Sequence, residues 1–552
     1  MRRHALGAAA AGALTLAVAV AQALPASAGV GDPSMFDGEN GYSATPIHTV
    51  GDSYGGYTPV GVNDGLGAYE LDGSTVRVLA NHELGQGDGN VYQVSDGTGG
   101  SFGLTGARVS YYDIDKGSRQ IVAAGQAYDA IYDPTGARAT DATFLQNGFT
   151  GLSRLCSASL FEPHQFGGGR GFEDRIFLTG EEDGGVYNPV GGAEWALDPE
   201  TGSLWALPDL GRGAWENATV LDTGSRNTVA VALSDDTSPF DADGDGVAEA
   251  APLYLYVGTK DPSGDFAARN GLRGGTLHVW VPRRDATTPA DFNGNGTLVG
   301  DWVALDTSTG TPSSDGSTGY DSFGYPTQRT LWTQADELGA FGFSRPEDVA
   351  TNPANGTEFV LASTGVDTYV DGADTFGTLY TVRTDFDGMK ANVRIIYDGD
   401  ADPARSLRSP DNVDWADDGR IYAQEDKAED ESLTGEPLFG PGAANPNEAS
   451  IVRMDKNGHR LTRVGHIDRS VILDNSIADP TDAVDHDAGD VGAWETSGIV
   501  DVSHLFGERG GSLFLFDVQA HGIDDQADVN ETSRITDDDL KEGGQLLFLS
   551  AP

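Results

Sequence analysis

The chain has 552 residues, with 85 Asp and Glu against 34 Lys and Arg and a formal net charge of -51. That excess excludes nucleic acid as a general partner, disfavours an anionic membrane surface, and repels the compact state unless cations sit among the carboxylates. The one cysteine, Cys156, excludes an intramolecular disulfide and leaves two readings, a small buried hydrophobe or a thiolate ligand for a transition metal.

In chain order, Arg2 and Arg3, the apolar run from Ala5 to Leu24, and Ala26-Ser27-Ala28 form the three parts of a cleavable signal peptide over residues 1–28. No later stretch offers a run of apolar residues long enough to span a bilayer, so no membrane segment is expected after cleavage. The protein is expected outside the cytoplasm, secreted or at the cell envelope, and the paired arginines admit the twin-arginine export route beside the general one. Cleavage removes two arginines and no acids, so the remaining chain is more acidic still.

Beyond residue 28, the 76 glycines fall between short β-rich runs rather than in one low-complexity block. A strand, an Asp-containing turn with Gly and a second strand recur at Val109–Gly117, Glu194–Gly202, Leu379–Gly388 and Ile451–Gly458. Helical periods are scarce, and no linker is evident. The chain therefore reads as all-β, a single β-propeller over residues 29–552 with loop insertions, of which Asp430 to Asn447 is one. The repeats are too irregular to count blades. No oligomer interface is legible, and a monomer is expected.

Two segments have the alternating short oxygen side chains and glycines that let a backbone wrap calcium: Asp241, Asp243 and Asp245 with Glu249, and Asp291, Asn293 and Asn295 with Asp301. Neither completes an EF-hand, because position 12 is Pro252 in the first and Trp302 in the second. Asx turns explain the same residues without a metal.

Acidic residues also follow or end expected strands along the whole chain, at Glu83, Glu181 and Glu182, Glu216, Glu347, Asp411 with Asn412, and Glu425 with Asp426. One such residue alone is usually a solvated surface group. In a propeller, however, strand ends from different blades converge on one mouth of the central channel, and there they become neighbours able to hold several metals.

At this point the residues resemble a known family, the PhoX-type alkaline phosphatases of bacteria. The likeness is an ordered series: NHE at 81–83, RLCSASL at 154–160, LTGEEDGG at 178–185, LGRGAWENA at 210–218, LYLYVGTKD at 253–261, RPEDV at 345–349, and SPDNVDW then GRIYAQED at 409–426. The resemblance implies a propeller, six-bladed in that family, whose active site carries iron and calcium and hydrolyses small-molecule phosphate monoesters. It implies that Cys156 is the iron thiolate, that Glu216 and Glu347 hold iron with it, and that Glu83, Glu181, Glu182, Asp411 and Asn412 serve calcium. It also implies that Arg345 contacts phosphate, with Arg154 a candidate for a second basic contact. Independently of the family, abundant hard oxygens with one thiolate and few histidines suit calcium and iron and suit zinc poorly. The chain lacks HExxH and a phosphate-cradling loop. Two rivals remain at this level: a calcium-stabilised propeller that only binds, and a propeller lactonase or organophosphate esterase, neither of which needs Cys156 or Arg345.

Overall fold

A computed structural model describes residues 32–552 apart from 186, 402–406, 427–438, 441, 443–446, 474–484, 486–490 and 524–538. The signal segment and most of the Asp430 to Asn447 loop lie outside the described residues.

The alternation of apolar residues with polar turns produces six antiparallel four-stranded units. Unit I is Asn63–Asp72, Thr75–His82, Arg108–Asp115 and Ile121–Gln126; unit II is Leu155–Phe161, Ile176–Glu181, Gly192–Asp198 and Ser203–Ala206. Unit III is Trp215–Leu221, Thr228–Asp235, Tyr254–Thr259 and Thr276–Pro282; unit IV is Pro346–Thr351, Glu358–Ser363, Thr378–Asp385 and Lys390–Asp398. Unit V is Pro410–Trp415, Arg420–Glu425, Ser450–Asp455 and Thr462–Ile467. Unit VI takes three strands from the end of the chain, Glu495–Asp501, Leu513–Ala520 and Gly543–Ser550, and its fourth, Ser43–Thr49, from near the beginning. An extra strand, Gly296–Ala304, joins the outer edges of units III and IV into one nine-stranded sheet.

The four hairpins read from the sequence are the outer hairpins of units I, II, IV and V. Their turns close as Asx chemistry predicts: Asp115 Oδ1 accepts the Ser118 amide at 2.8 Å, and Asp455 Oδ1 accepts the Asn457 amide at 2.9 Å. At the latter turn Gly458 has φ +74, and a Cβ there would lie 1.6 Å from the Ile396 carbonyl oxygen, so only glycine fits.

The first strands of successive units lie side by side, and the first strand of unit VI returns to that of unit I. Because neighbouring residues of a strand face opposite sides of its sheet, each unit feeds two cores. In Leu513–Ala520, Leu513 and Leu515 pack with Val76, Val78 and Tyr112 of unit I, while Phe514, Phe516 and Val518 pack with Tyr422 and Ile451 of unit V. Similar cores fill the other gaps between units. Helix is confined to short insertions, Gln328–Glu337 being the longest among the described residues, and none there is long and apolar enough to cross a membrane.

Gly543–Ser550 pairs with both Ser43–Thr49 and Leu513–Ala520, so it joins the two ends of the chain. Leu547→Ala, at a fully buried position on this strand, is expected to cost about 2–5 kcal/mol of unfolding free energy, read from the urea midpoint. A loss below about 1 kcal/mol would show that the closing strand is dispensable.

Candidate metal centre

Five of the six inner strands begin with the same local structure. The pairing skips at Asn63/Leu66, Leu155/Ala158, Trp215/Ala218, Pro346/Val349 and Pro410/Val413, so that two residues face one residue of the partner strand. Such a bulge bends the strand and re-aims a side chain. The first bulged residue in each case is Asp64, Cys156, Glu216, Glu347 and Asp411. Four of the entry residues two positions earlier, Val62, Arg154, Arg345 and Ser409, have φ between 42 and 58, a conformation that side-chain-bearing residues adopt rarely. The carbonyls of Val62, Arg154, Ala214, Arg345 and Ser409 accept the amides of Glu83, Glu182, Asp236, Thr364 and Asp426, at 2.8–2.9 Å. One entry turn, repeated five times, thus delivers a first-strand donor and the residue just past the second strand to the same end of the molecule.

The donors meet in overlapping groups whose ligand atoms lie within 4.8 Å of one another: Asp64, Glu83 and Cys156; Cys156, Glu182 and Glu216; Glu216, Glu347 and Asp411; Asp411, Asp426 and Glu495. Cys156, Glu216 and Asp411 are shared, so the groups form one continuous chain through all six units. Asp64 Oδ1, Glu216 Oε1 and Asp411 Oδ1 are buried without a hydrogen-bond partner. Cys156 Sγ donates to Asp64 Oδ2 at 3.2 Å. Burial, reinforced by Asp64, Glu216, Glu83 and Glu182, pushes the thiol well above its ordinary range, and burial with mutual repulsion does the same to Asp64, Glu216 and Asp411. Buried carboxylates without partners are costly unless protonated or bound to cations, so the donor set fits hard cations along the chain and a transition metal at the thiol.

The expected residues divide. Glu83, Cys156, Glu182, Glu216, Glu347, Asp411 and Asp426 are among the grouped donors. Glu181 and Glu425 are not. Glu181 accepts the Ser153 and Ala193 amides and the Trp195 indole at 3.1–3.3 Å; Glu425 accepts the Arg408 and Ser450 amides at 2.7 and 2.8 Å. Each buttresses the backbone just before an entry turn, because successive residues at a strand end point to opposite sides. Asn412 lies in its bulge, where its Oδ1 accepts from Ser497 Oγ and the Gly498 amide at 3.0 and 3.2 Å. Asp64, Asp236 and Glu495 escaped the sequence reading. A signal for the first was available in the recurring pentad VNDGL, RLCSA, AWENA, RPEDV and SPDNV at residues 62–66, 154–158, 214–218, 345–349 and 409–413.

Arg345 lies beside this chain. Its Nε and Nη2 donate to the two oxygens of Asp236 at 2.9 and 2.8 Å, and Nη2 approaches Glu347 Oε1 at 3.1 Å. Burial alone would raise Asp236, but Arg345 holds it below the usual carboxylate range. Arg154 Nη2 contacts Glu83 Oε1 at 2.9 Å and pairs with Glu182. The two arginines, Glu182, Asp236 and Thr237 line a cavity of about 300 Å³ beside the donors. At the expected calcium loops, Asp241 and Asp243 group with Glu249, whereas Asp245 does not join them. Asp301 of the second loop instead accepts from Nη2 and Nε of Arg283 at 2.6 and 2.8 Å.

Burial pushes Asp348 and Glu425 each to about 7 and, with repulsion from Glu495 and Asp236 working against Arg345, Asp426 to about 8. These carboxyls hold protons in the folded state that the unfolded chain releases from about pH 4 upward. The metal-stripped protein is therefore expected to lose stability as pH rises from about 4 to 8, and calcium is expected to restore it at pH 8. Urea midpoints at pH 5 and pH 8 in chelator test this, and a midpoint that is equal or higher at pH 8 would contradict it.

The family model for alkaline phosphatase PhoX matches residues 198–461, which contain the bulges of units III to V. No curated protein matches. Among solved structures the chain is similar to Pseudomonas fluorescens PhoX in complex with vanadate, a transition state analogue, at 14% identity and a TM-score of 0.58, with 96% of this chain and 97% of that one covered. The β-1,2-mannobiose phosphorylase of Listeria innocua reaches a TM-score of only 0.22 at 9% identity, over 64% of this chain and 91% of that one, and carries no argument. Residues 198–461 thus match the alkaline phosphatase PhoX family model, and the fold of the whole chain is like that of a PhoX protein.

Proposed function

We propose that the protein is an exported phosphomonoesterase whose six units are the blades of a six-bladed β-propeller and whose centre holds calcium and iron. The observation that carries this reading is the chain of donors from Asp64 to Glu495 beside a cavity containing Arg345 and Arg154. The vanadate held by the Pseudomonas protein supports a phosphoryl substrate. Export rests on the segment 1–28 alone.

Cys156, with Glu182 and Glu216, is the set suited to iron, since it combines the thiol with carboxylates. The all-oxygen groups around Asp411, Asp426 and Glu495 suit calcium. Asp241, Asp243 and Glu249 would form a separate structural calcium site. Metal ions held by these residues would supply neutralisation of the phosphoryl oxygens and activation of water. Around them the chain's own residues do three things. Arg345, fixed by Asp236, presents the rest of its planar fork to the phosphate. Arg154, from unit II, offers a second positive contact in the same cavity. The buried Glu182 and Asp236 in the cavity wall hold the two guanidiniums in position. Overall charge repels a phosphate ester at a distance, and affinity must arise inside the cavity.

Metal analysis of purified protein with p-nitrophenyl phosphate turnover, before and after chelation, tests the reading. Calcium and iron with chelator-sensitive turnover are expected; calcium alone without turnover would overturn it. Cys156→Ser is expected to lose iron and lower turnover by at least about 100-fold while the far-ultraviolet spectrum stays that of a β protein. A fully active, iron-loaded variant would reduce the thiol to packing. Arg345→Ala is expected to weaken inhibition by inorganic phosphate roughly 10- to 100-fold, and unchanged inhibition would remove its assigned role.

A further inference from the structure

Tyr187 is the most exposed large hydrophobic side chain among the described residues, at 76%, and it stands on the lip of the cavity that contains Arg154 and Arg345. It also lines a second depression of about 520 Å³ on the other side of Arg154, whose wall includes Phe149, Asp183 and the glycine-containing turn at residues 85–88. Arg154 and Tyr187 belong to both, so a molecule seated in the first with its phosphate extends into the second with the rest of its body.

Both aromatic rings sit on pinned turns. The Tyr187 amide donates to Gly184 O at 2.9 Å, the Gly185 amide to Gln328 Oε1 at 2.6 Å, and Asn188 is tied through Nδ2 to Gly191 O at 3.2 Å. The Phe149 amide donates to Gln146 O at 2.9 Å, and Gln146 Oε1 accepts the Ser322 amide at 3.2 Å. These bonds fix the backbone from which the two side chains project, which lowers the ordering cost of using them as a binding surface.

We propose that this second depression is the leaving-group subsite and that Tyr187, with Phe149, selects phosphate monoesters whose alcohol carries a planar ring, as nucleosides and aryl alcohols do, over wholly aliphatic ones. The inference rests on the phosphatase reading and deepens it. A planar ring covering Tyr187 buries its exposed face and gains stacking that an aliphatic alcohol cannot reproduce. The charge pattern limits the substrate further. Among the described residues lining the subsite Arg154 is the one cation, and it already faces Glu83 and Glu182, while Asp183 stands in the wall. A neutral leaving group fits, and a second phosphate does not.

The test compares adenosine 5′-monophosphate and p-nitrophenyl phosphate with glycerol phosphate on the metal-loaded full chain, by steady-state kinetics and by calorimetric titration. Tyr187→Ala is expected to raise KM for both ring-bearing esters roughly 5- to 50-fold with kcat within about twofold, and to leave glycerol phosphate unchanged. Tyr187→Phe is expected to restore the aromatic preference. A KM change of the same size for all three esters, or for none, would overturn the proposal. Titration reads the subsite without turnover: equal affinity of the wild type for the nucleotide and glycerol phosphate overturns the subsite. Preferential nucleotide binding that Tyr187→Ala abolishes upholds the subsite even if nothing is hydrolysed, in which case it is the phosphatase reading that fails.

Discussion

Acidic side chains from six units are buried together at one end of this molecule, and their mutual repulsion is the constraint on which the rest of the structure depends. Asp64, Glu216 and Asp411 each have an oxygen with no hydrogen-bond partner, and burial raises all three carboxyls. A fold does not bring such groups together for stability, because apolar residues of the same size would pack at lower cost. The convergence has to be enforced by the scaffold and compensated by protons or cations.

The scaffold enforces it through repetition. Each inner strand is flanked by cores on both faces, so its position in the ring is set by packing before its acidic end is considered. The bulge then turns one residue out of the pleat, and the entry carbonyl fixes the residue past the second strand. Unit VI departs from the pattern. Its bulge holds Gly498, where a Cβ would lie 2.5 Å from the Asp64 carbonyl oxygen, and it contributes Glu495 from the start of its strand instead. That substitution makes room where the ring closes between the last unit and the first.

Arg154 and Arg345 occupy equivalent entry positions in units II and IV, two residues before Cys156 and Glu347. The same left-handed turn that presents a ligand therefore presents a guanidinium above it, and the cavity between the two arginines lies directly against the donors. Each arginine is partly neutralised by the carboxylates it approaches, which confines the positive charge to the cavity and leaves the acidic surface unchanged. Within the paired acids, Glu181 and Glu425 support the turn, while Glu182 and Asp426 face the centre.

The sequence by itself determined the all-β character, through alternating apolar runs and Asp-containing turns with Gly whose chemistry is local, and it singled out Cys156 as the one cysteine and Glu216, Glu347 and Asp411 as acids at expected strand ends. The order of the segments carried the family likeness. Only the tertiary structure decided which acid of each adjacent pair turns inward, since that depends on register and bulge, and a one-residue shift reverses it. It also decided that Asp64 and Glu495, more than 400 residues apart in the chain, share one chain of donors. That neighbourhood exists only when Ser43–Thr49 pairs with Gly543–Ser550 and the ring of units closes, a long-range contact that no local pattern encodes.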